Sequence, residues 1–82
     1  MESCVMTVVC RSDLSTLARI VSVLHARRIP VIGLRYAAGP DDAHLECDVR
    51  SEGASLVAAQ LRRVVGVLSA DVSRPVVVAV AS

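Results

Sequence analysis

From His44 to Arg50, polar and apolar side chains alternate at every position, and this segment constrains the fold more than any other in the 82-residue chain. Successive side chains of a strand point to opposite faces of its sheet. Leu45, Cys47 and Val49 therefore share one face, and the polar residues share the other. The sequence predicts a strand with one buried face and one face that meets solvent or a partner.

The segments on either side are alternately β-prone and helical. One helix is indicated by apolar residues at spacings of three and four, namely Leu14, Leu17, Ile20, Val21 and Leu24. Ser12 or Asp13 can cap its first turn, and Pro30 prevents its continuation. In chain order we expect strand Cys4–Cys10, helix Leu14–Arg27, strand Val31–Ala38, strand His44–Arg50, helix Ala54–Val64 and strand Val65–Val72, followed by a β-prone piece at Val76–Val80.

This order predicts an α+β fold, the ferredoxin-like βαββαβ sandwich. Right-handed crossovers place both helices on one face of a four-stranded antiparallel sheet. We expect one domain at residues 1–74 and a C-terminal tail at residues 75–82 that can supply an extra strand. The expected core joins the helix residues Leu17, Ile20, Leu24, Val57 and Leu61 to the strand residues Leu45, Cys47 and Val49.

Charge and cysteine content exclude several classes of protein. The formal net charge is only +1, which gives no long-range field for nucleic acid or an anionic membrane. The longest apolar run, Pro75–Ala81, is too short to span a bilayer. Three cysteines make an odd count that does not suggest a disulfide scaffold. Because no signal peptide is visible either, we expect a cytoplasmic protein.

The sequence contains no clear catalytic or metal-binding pattern. Cys4 and Cys10 share a strand face but are about 20 Å apart along it, too far to chelate one ion. We therefore expect buried structural cysteines and solvated histidines. Arg11 follows the first strand, where a small acyl phosphate hydrolase would hold phosphate, but the chain contains no Asn to position water. RNA-binding domains of this topology stack bases on aromatic residues, and Tyr36 is the sole aromatic residue here.

The segments SDLSTLARIVSVLHARRIPVIGLRYAAG and HLECDVRSEGASLVAAQLRRVVGVLSADV resemble ACT domains. The resemblance is closest to the short form of the acetolactate synthase (acetohydroxyacid synthase) small regulatory subunit, and it extends from Val5 to about Val72. Leu17, Arg19 and Ile20 match that family's Leu-x-Arg-hydrophobic run. Residues 27–34 match its step from arginine-glycine into a strand, and residues 61–72 match its closing leucine-basic-valine pattern.

The resemblance implies a regulatory, non-catalytic subunit with no cofactor in this chain. Such small subunits form homodimers through their sheets and activate a large subunit that depends on thiamine diphosphate and FAD. Many also bind valine or another branched-chain amino acid. Two other functions remain open: a free-standing ACT amino-acid sensor, or a small ferredoxin-like acyl phosphate hydrolase that uses Arg11.

The resemblance also implies a ligand site. In ACT domains it comprises the loop after the first strand, here Ser12, Asp13, Leu14 and Ser15, and the start of the second strand, here Pro30. The family's glycine in that loop is absent, and Pro30 lacks both a side-chain amide and a backbone N–H. With two polar contacts missing, the sequence favours an activating subunit that does not respond to an amino acid.

Two features predict association. On the outer face of the sheet, Arg35 can pair with Glu46 and Asp48 on the neighbouring strand. The tail residues Val76–Val80 form an uncharged β-prone run, which would aggregate if left exposed. We therefore expect the tail to pair as an additional strand, within the chain or across a dimer.

Overall fold

A computed structural model describes residues 3–50 and 52–73. Its elements are β1 (Ser3–Arg11), α1 (Leu14–Ala26), β2 (Val31–Ala38), β3 (Asp42–Arg50), α2 (Ala54–Leu61) and β4 (Val67–Ser73). The predicted βαββαβ order is confirmed, and the predicted boundaries agree within two residues except at the end of α2. The tail predicted at residues 75–82 lies outside the described residues, as does the limit of the domain at residue 74.

The four strands form one antiparallel sheet in the order β2-β3-β1-β4. In the middle of the sheet, Val8 lies opposite Leu45 on one side and Ala70 on the other. Both crossovers place a helix on the face that carries these three residues, as the sequence predicts. The strand β2 therefore forms one edge of the sheet and β4 forms the other.

The core lies between this face of the sheet and the two helices. Along β1, alternate residues are fully buried, as a strand with one covered face requires. The helix residues predicted for the core are buried except Leu17, which is half-buried against it. The largest fully buried side chains are Met6, Val8, Ile20, Leu45, Val49 and Leu61, with Thr16, Cys10 and Cys47.

The predicted apolar stripe of α1 is only partly buried. Leu14 and Val21 belong to that stripe by spacing, but they are 77% and 44% exposed. The polar Thr16 is buried instead, against the loop that precedes β4. The helix is therefore rotated relative to the sequence prediction, with Thr16, Ile20 and Leu24 inward and Val21 on the flank beside β2.

The prediction that α2 extends to Val64 is wrong, because the helix ends at Leu61. The amides of Arg63 and Val64 donate to carbonyls three residues back, which tightens the chain after Leu61. Gly66 then adopts φ +99°, and its carbonyl accepts a hydrogen bond from the Arg11 amide at 2.8 Å. This turn delays the start of β4 to Val67 and brings the strand alongside β1.

Within residues 3–50 and 52–73, no helix has the length and apolar character needed to cross a membrane.

Candidate functional site

The loop between β1 and α1, together with the first turn of α1, contains four of the five residues that the sequence proposes for ligand binding. Ser12 is half-buried, and Asp13, Leu14 and Ser15 are exposed. Asp13 is the N-cap of α1: its Oδ1 accepts a hydrogen bond from the Thr16 amide at 2.7 Å. This hydrogen bond, with smaller contributions from Arg11 and Arg19, lowers the pKa of the Asp13 carboxyl below its ordinary value.

The backbone donors of this loop are mostly used within the chain. The Ser12 amide donates to the Asp41 carbonyl at 3.3 Å, and the Asp13 amide donates to the Arg11 carbonyl at 2.9 Å. The Arg11 amide is held by Gly66, as described above. A ligand carboxylate approaching this loop would therefore find the amides of residues 11–13 already engaged.

Pro30, the fifth candidate, lies at the other end of α1. The thirteen residues of α1 separate it from the loop, a distance of about 20 Å along the helix axis. Ser12–Ser15 and Pro30 are therefore not brought together within one chain. A site that used both would need two copies, one contributing the loop and the other contributing the start of β2.

The charges around Arg11 do not favour an acyl phosphate. Arg11 lies opposite Asp42 in the β1–β3 pair, and the adjoining turns carry Asp13 and Asp41. Burial raises the pKa of the neighbouring Cys10 thiol, and the negative charges of Asp13 and Asp42 raise it further. The three carboxylates repel a phosphate dianion, and their combined repulsion outweighs the attraction of the single Arg11 guanidinium.

The cysteines are buried and free, as the sequence predicts. Burial raises the pKa of the Cys47 thiol to about 11, and the neighbouring Asp48 acts in the same direction. Thiolates, not thiols, are the nucleophiles and metal ligands. Among the described residues, no group of three or more His, Cys, Asp or Glu side chains is placed to hold a metal ion.

The sheet face opposite the helices carries an ion-pair network. Arg35 Nη1 lies 3.1 Å from Asp48 Oδ2, and its Nε lies 3.5 Å from Glu46 Oε1. The hydrogen bond with Asp48 is the main cause of a raised pKa for the Arg35 guanidinium. The predicted pairing of β2 with β3 charges is thus confirmed, and it leaves this face polar.

A groove that the sequence did not predict lies between the C-terminal half of α1 and β2. Its volume is about 460 Å³, within the range of small-molecule sites. In the sequence, Arg27 and Arg28 are two adjacent positive charges after the apolar stripe, a pattern typical of a helix C-terminus. A signal was nevertheless present, since the helix stops without the glycine that usually follows a C-cap. The lining consists of Val21, Leu24, His25, Arg28, Ile29, Val31 and Leu34.

The end of α1 is closed by a Schellman motif in which Arg28 takes the position normally held by glycine. The Ile29 amide donates to the Leu24 carbonyl at 3.1 Å, and the Arg28 amide donates to the His25 carbonyl at 3.0 Å. Arg28 has φ +53°, the sole positive φ at a non-glycine position within the described residues. This left-handed conformation places a costly backbone geometry beside the groove.

Solved structures of ACT domains are similar to this chain. The crystal structure of the ACT domain from GTP pyrophosphokinase of Chlorobium tepidum has a TM-score of 0.75 and 12% identity, covering 87% of this chain and 96% of that domain. The solution NMR structure of the same domain has a TM-score of 0.73 and 12% identity, covering 85% and 83% respectively.

A second protein has a similar structure. The solution structure of the C-terminal domain of the MgtC protein from Mycobacterium tuberculosis has a TM-score of 0.67 and 21% identity, covering 90% of this chain and 87% of that domain. No protein-family model matches the sequence, and the comparison with curated proteins gives no match. The comparisons therefore establish the ferredoxin-like fold of ACT domains, and similarity at this level of identity establishes the fold alone.

Proposed function

We propose that this chain is a non-catalytic regulatory subunit of the ACT type, which acts in the cytoplasm as a homodimer. Its partner would be the large subunit of an acetolactate synthase, and its role would be to activate that enzyme. The thiamine diphosphate and FAD chemistry would remain in the large subunit. The ACT-type fold and the resemblance of residues 5–72 to the small regulatory subunit support this proposal.

The observation that carries the proposal is an exposed aliphatic patch at the β2 edge of the sheet. It includes Ile32, which is 67% exposed, and Leu34, which is 44% exposed. Contiguous exposed apolar side chains on a small domain mark surfaces that bind other polypeptides. The β2 patch consists of Val21, Val31, Ile32 and Leu34.

The β2 patch adjoins a strand edge that can accept another strand. β2 pairs with β3 on one side and lies at the edge of the sheet on the other. An edge strand presents backbone N–H and C=O groups to any partner of extended conformation. Antiparallel pairing of β2 with β2 of a second copy would continue the sheet and cover Ile32 and Leu34 in the same contact.

The test mixes the purified chain with the catalytic subunit of acetolactate synthase from the same source and measures co-purification and acetolactate formation. We expect a complex and an increase in activity. Ile32→Glu should abolish dimer formation and activation, because it places a charge in the β2 patch. Leu56→Glu is the matched control, since Leu56 is 65% exposed on α2. Failure to bind or activate, or equal effects of the two variants, would contradict the proposal.

A second candidate is an amino-acid sensor. It is favoured by the geometry of a dimer, which would bring Ser12–Ser15 of one copy close to Pro30 of the other. Antiparallel pairing of two β2 edges places the start of β2 in one copy near the end of β2 in the other. The β1–α1 loop of that second copy lies at the same end, so a dimer would bring both parts of the site together. Calorimetry with the twenty amino acids tests this candidate, and Asp13→Ala should remove any heat of binding that involves the loop.

A further inference from the structure

Five of the seven side chains that line the groove between α1 and β2 are aliphatic. Val21 and Leu24 come from α1, Ile29 from the connecting loop, and Val31 and Leu34 from β2. All five side chains are aliphatic, so the groove suits a branched or linear aliphatic chain. It offers no aromatic surface on which a planar ring could stack.

Two basic side chains complete the lining at the helix C-terminus. Arg28 carries a permanent positive charge, and its planar guanidinium can donate two parallel hydrogen bonds to a carboxylate. His25 lies one helical turn before it and can donate a further hydrogen bond. The seven lining residues include no Asp or Glu, so no side-chain carboxylate in the lining competes for Arg28 or pairs with an ammonium group.

The conformation of Arg28 is an independent indication that this side chain has a role. A glycine at this position would close the Schellman motif with no penalty for its φ of +53°. The two hydrogen bonds of that motif use only backbone atoms of residues 24, 25, 28 and 29, so they do not require an arginine side chain. Residues kept in costly backbone conformations cluster at ligand sites.

We propose that the groove between α1 and β2 binds a small aliphatic monocarboxylate, with the aliphatic chain on the five apolar side chains and the carboxylate on Arg28. This site is at the opposite end of α1 from Ser12–Ser15. It discriminates against an amino acid, whose ammonium group would lie beside the Arg28 guanidinium with no side-chain carboxylate to pair with. The inference goes beyond the proposed regulatory function, and it requires a homodimer that leaves the groove open, because Val21, Val31 and Leu34 belong to both the β2 patch and the groove lining.

The test uses the full chain alone and follows binding by calorimetry and thermal denaturation. The probes are 4-methylpentanoate, L-leucine, which has a similar aliphatic chain with an added ammonium group, and 4-methylpentan-1-ol, which lacks the charge. We expect saturable binding and a rise in Tm with 4-methylpentanoate. The alcohol lacks the carboxylate that Arg28 would bind, and leucine adds an ammonium group beside a guanidinium. Each should therefore bind at least about tenfold more weakly than 4-methylpentanoate.

The informative variant is Arg28→Gly, which separates binding from folding. It should raise the Tm of the unliganded protein and weaken 4-methylpentanoate binding by about tenfold or more. Arg27→Gln is the matched control, because it removes the same charge from the C-cap residue, which does not line the groove. It should leave the affinity unchanged.

The inference would be overturned by the absence of saturable 4-methylpentanoate binding, by binding that Arg28→Gly leaves intact, or by leucine binding as tightly as the carboxylate. The alternative occupant of the groove is a second copy of this chain, and measuring the oligomeric state in the same samples detects it. If a second copy fills the groove, 4-methylpentanoate will not bind to the dimer, and this too overturns the inference. The oligomeric state keeps the two proposals distinguishable: a dimer that binds 4-methylpentanoate supports both, and a dimer that excludes it overturns this inference alone.

Discussion

Thr16 occupies the space that a side chain at Gly66 would need. A Cβ added to Gly66 would lie 2.5 Å from Thr16 Oγ1 and 2.9 Å from its Cγ2. Gly66 also has φ +99°, a conformation that L-residues rarely adopt. This close approach sets the spacing between α1 and the turn that leads into β4, and it accounts for the burial of a threonine that lies outside the predicted apolar stripe.

The contact predicts unequal effects for two glycine substitutions. Gly53 has φ +78° and nothing within 4 Å of an added Cβ. Gly53→Ala should therefore lower the free energy of unfolding only by the strain of the positive φ, about 1–2 kcal/mol. Gly66→Ala adds overpacking against Thr16, for a total loss of about 2–5 kcal/mol in the free energy of unfolding. Urea denaturation measures both. The explanation fails if the two variants are equally stable, or if Thr16→Ala does not lessen the effect of Gly66→Ala.

The Asp13 cap predicts a specific acid sensitivity. Because the folded state lowers the pKa of Asp13, its contribution to stability is complete above the ordinary value of 3.8 and is lost as the pH falls through the lower folded value. Asp13→Ala should lower the Tm by several degrees at pH 7, whereas Asp13→Asn, which keeps an acceptor for the Thr16 amide, should have a smaller effect. Equal losses for the two variants would show that the capping hydrogen bond is not the cause.

Cys47 should be unreactive in the folded protein. With a pKa of about 11, its thiolate fraction at pH 8 is about a hundredfold below that of an ordinary thiol. We expect iodoacetamide to modify Cys47 at pH 8 only after denaturant is added, as mass spectrometry of digested protein would detect. Rapid labelling of Cys47 in the native protein would contradict this.

The same thiol predicts a loss of stability in alkali. A pKa that is raised on folding contributes stability below the ordinary value of 9.0 and loses it as the pH approaches about 11. The urea midpoint should therefore fall over this interval, and Cys47→Ala should fall less steeply from its own lower starting value. Parallel curves for the two proteins would refute the assignment to Cys47.

The C-terminal tail supplies a prediction that comes from the sequence alone. Residues 75–82 lie outside the described residues, and their uncharged valine run predicts that they pair as an added strand. Deleting Pro75–Ser82 should lower solubility or weaken the dimer, which sedimentation velocity can detect. Unchanged sedimentation of the truncated chain would exclude this role.

Much of the fold follows from local pattern. The alternation at His44–Arg50 correctly assigns Leu45, Cys47 and Val49 to the core, because a strand has only two faces and the period leaves no ambiguity. A helix is less determined, since several adjacent positions can face inward. This is why spacing alone placed Leu14 in the stripe and overlooked Thr16, whose burial depends on the distant Gly66.

The candidate sites were less predictable for the same reason. The capping role of Asp13 is local and could be inferred from its position before an apolar stripe. The groove depends on how α1 and β2 are spaced after folding, and Arg28 gains its significance from a backbone angle. Neither quantity is encoded in the identity of one residue, so the sequence described Arg28 only as a charge at the helix end.

The strand order has a consequence for how this domain could be joined to other polypeptides. The described chain enters at the start of β1 and leaves at the end of β4, and these strands are neighbours, with Val5 opposite Ser73. Both attachment points are thus at one end of the sheet, separated from β2 by at least one intervening strand. The described part of the chain therefore begins and ends on the β1–β4 side of the sheet, so a connection that starts at residue 3 or residue 73 starts away from the edge that carries the β2 patch.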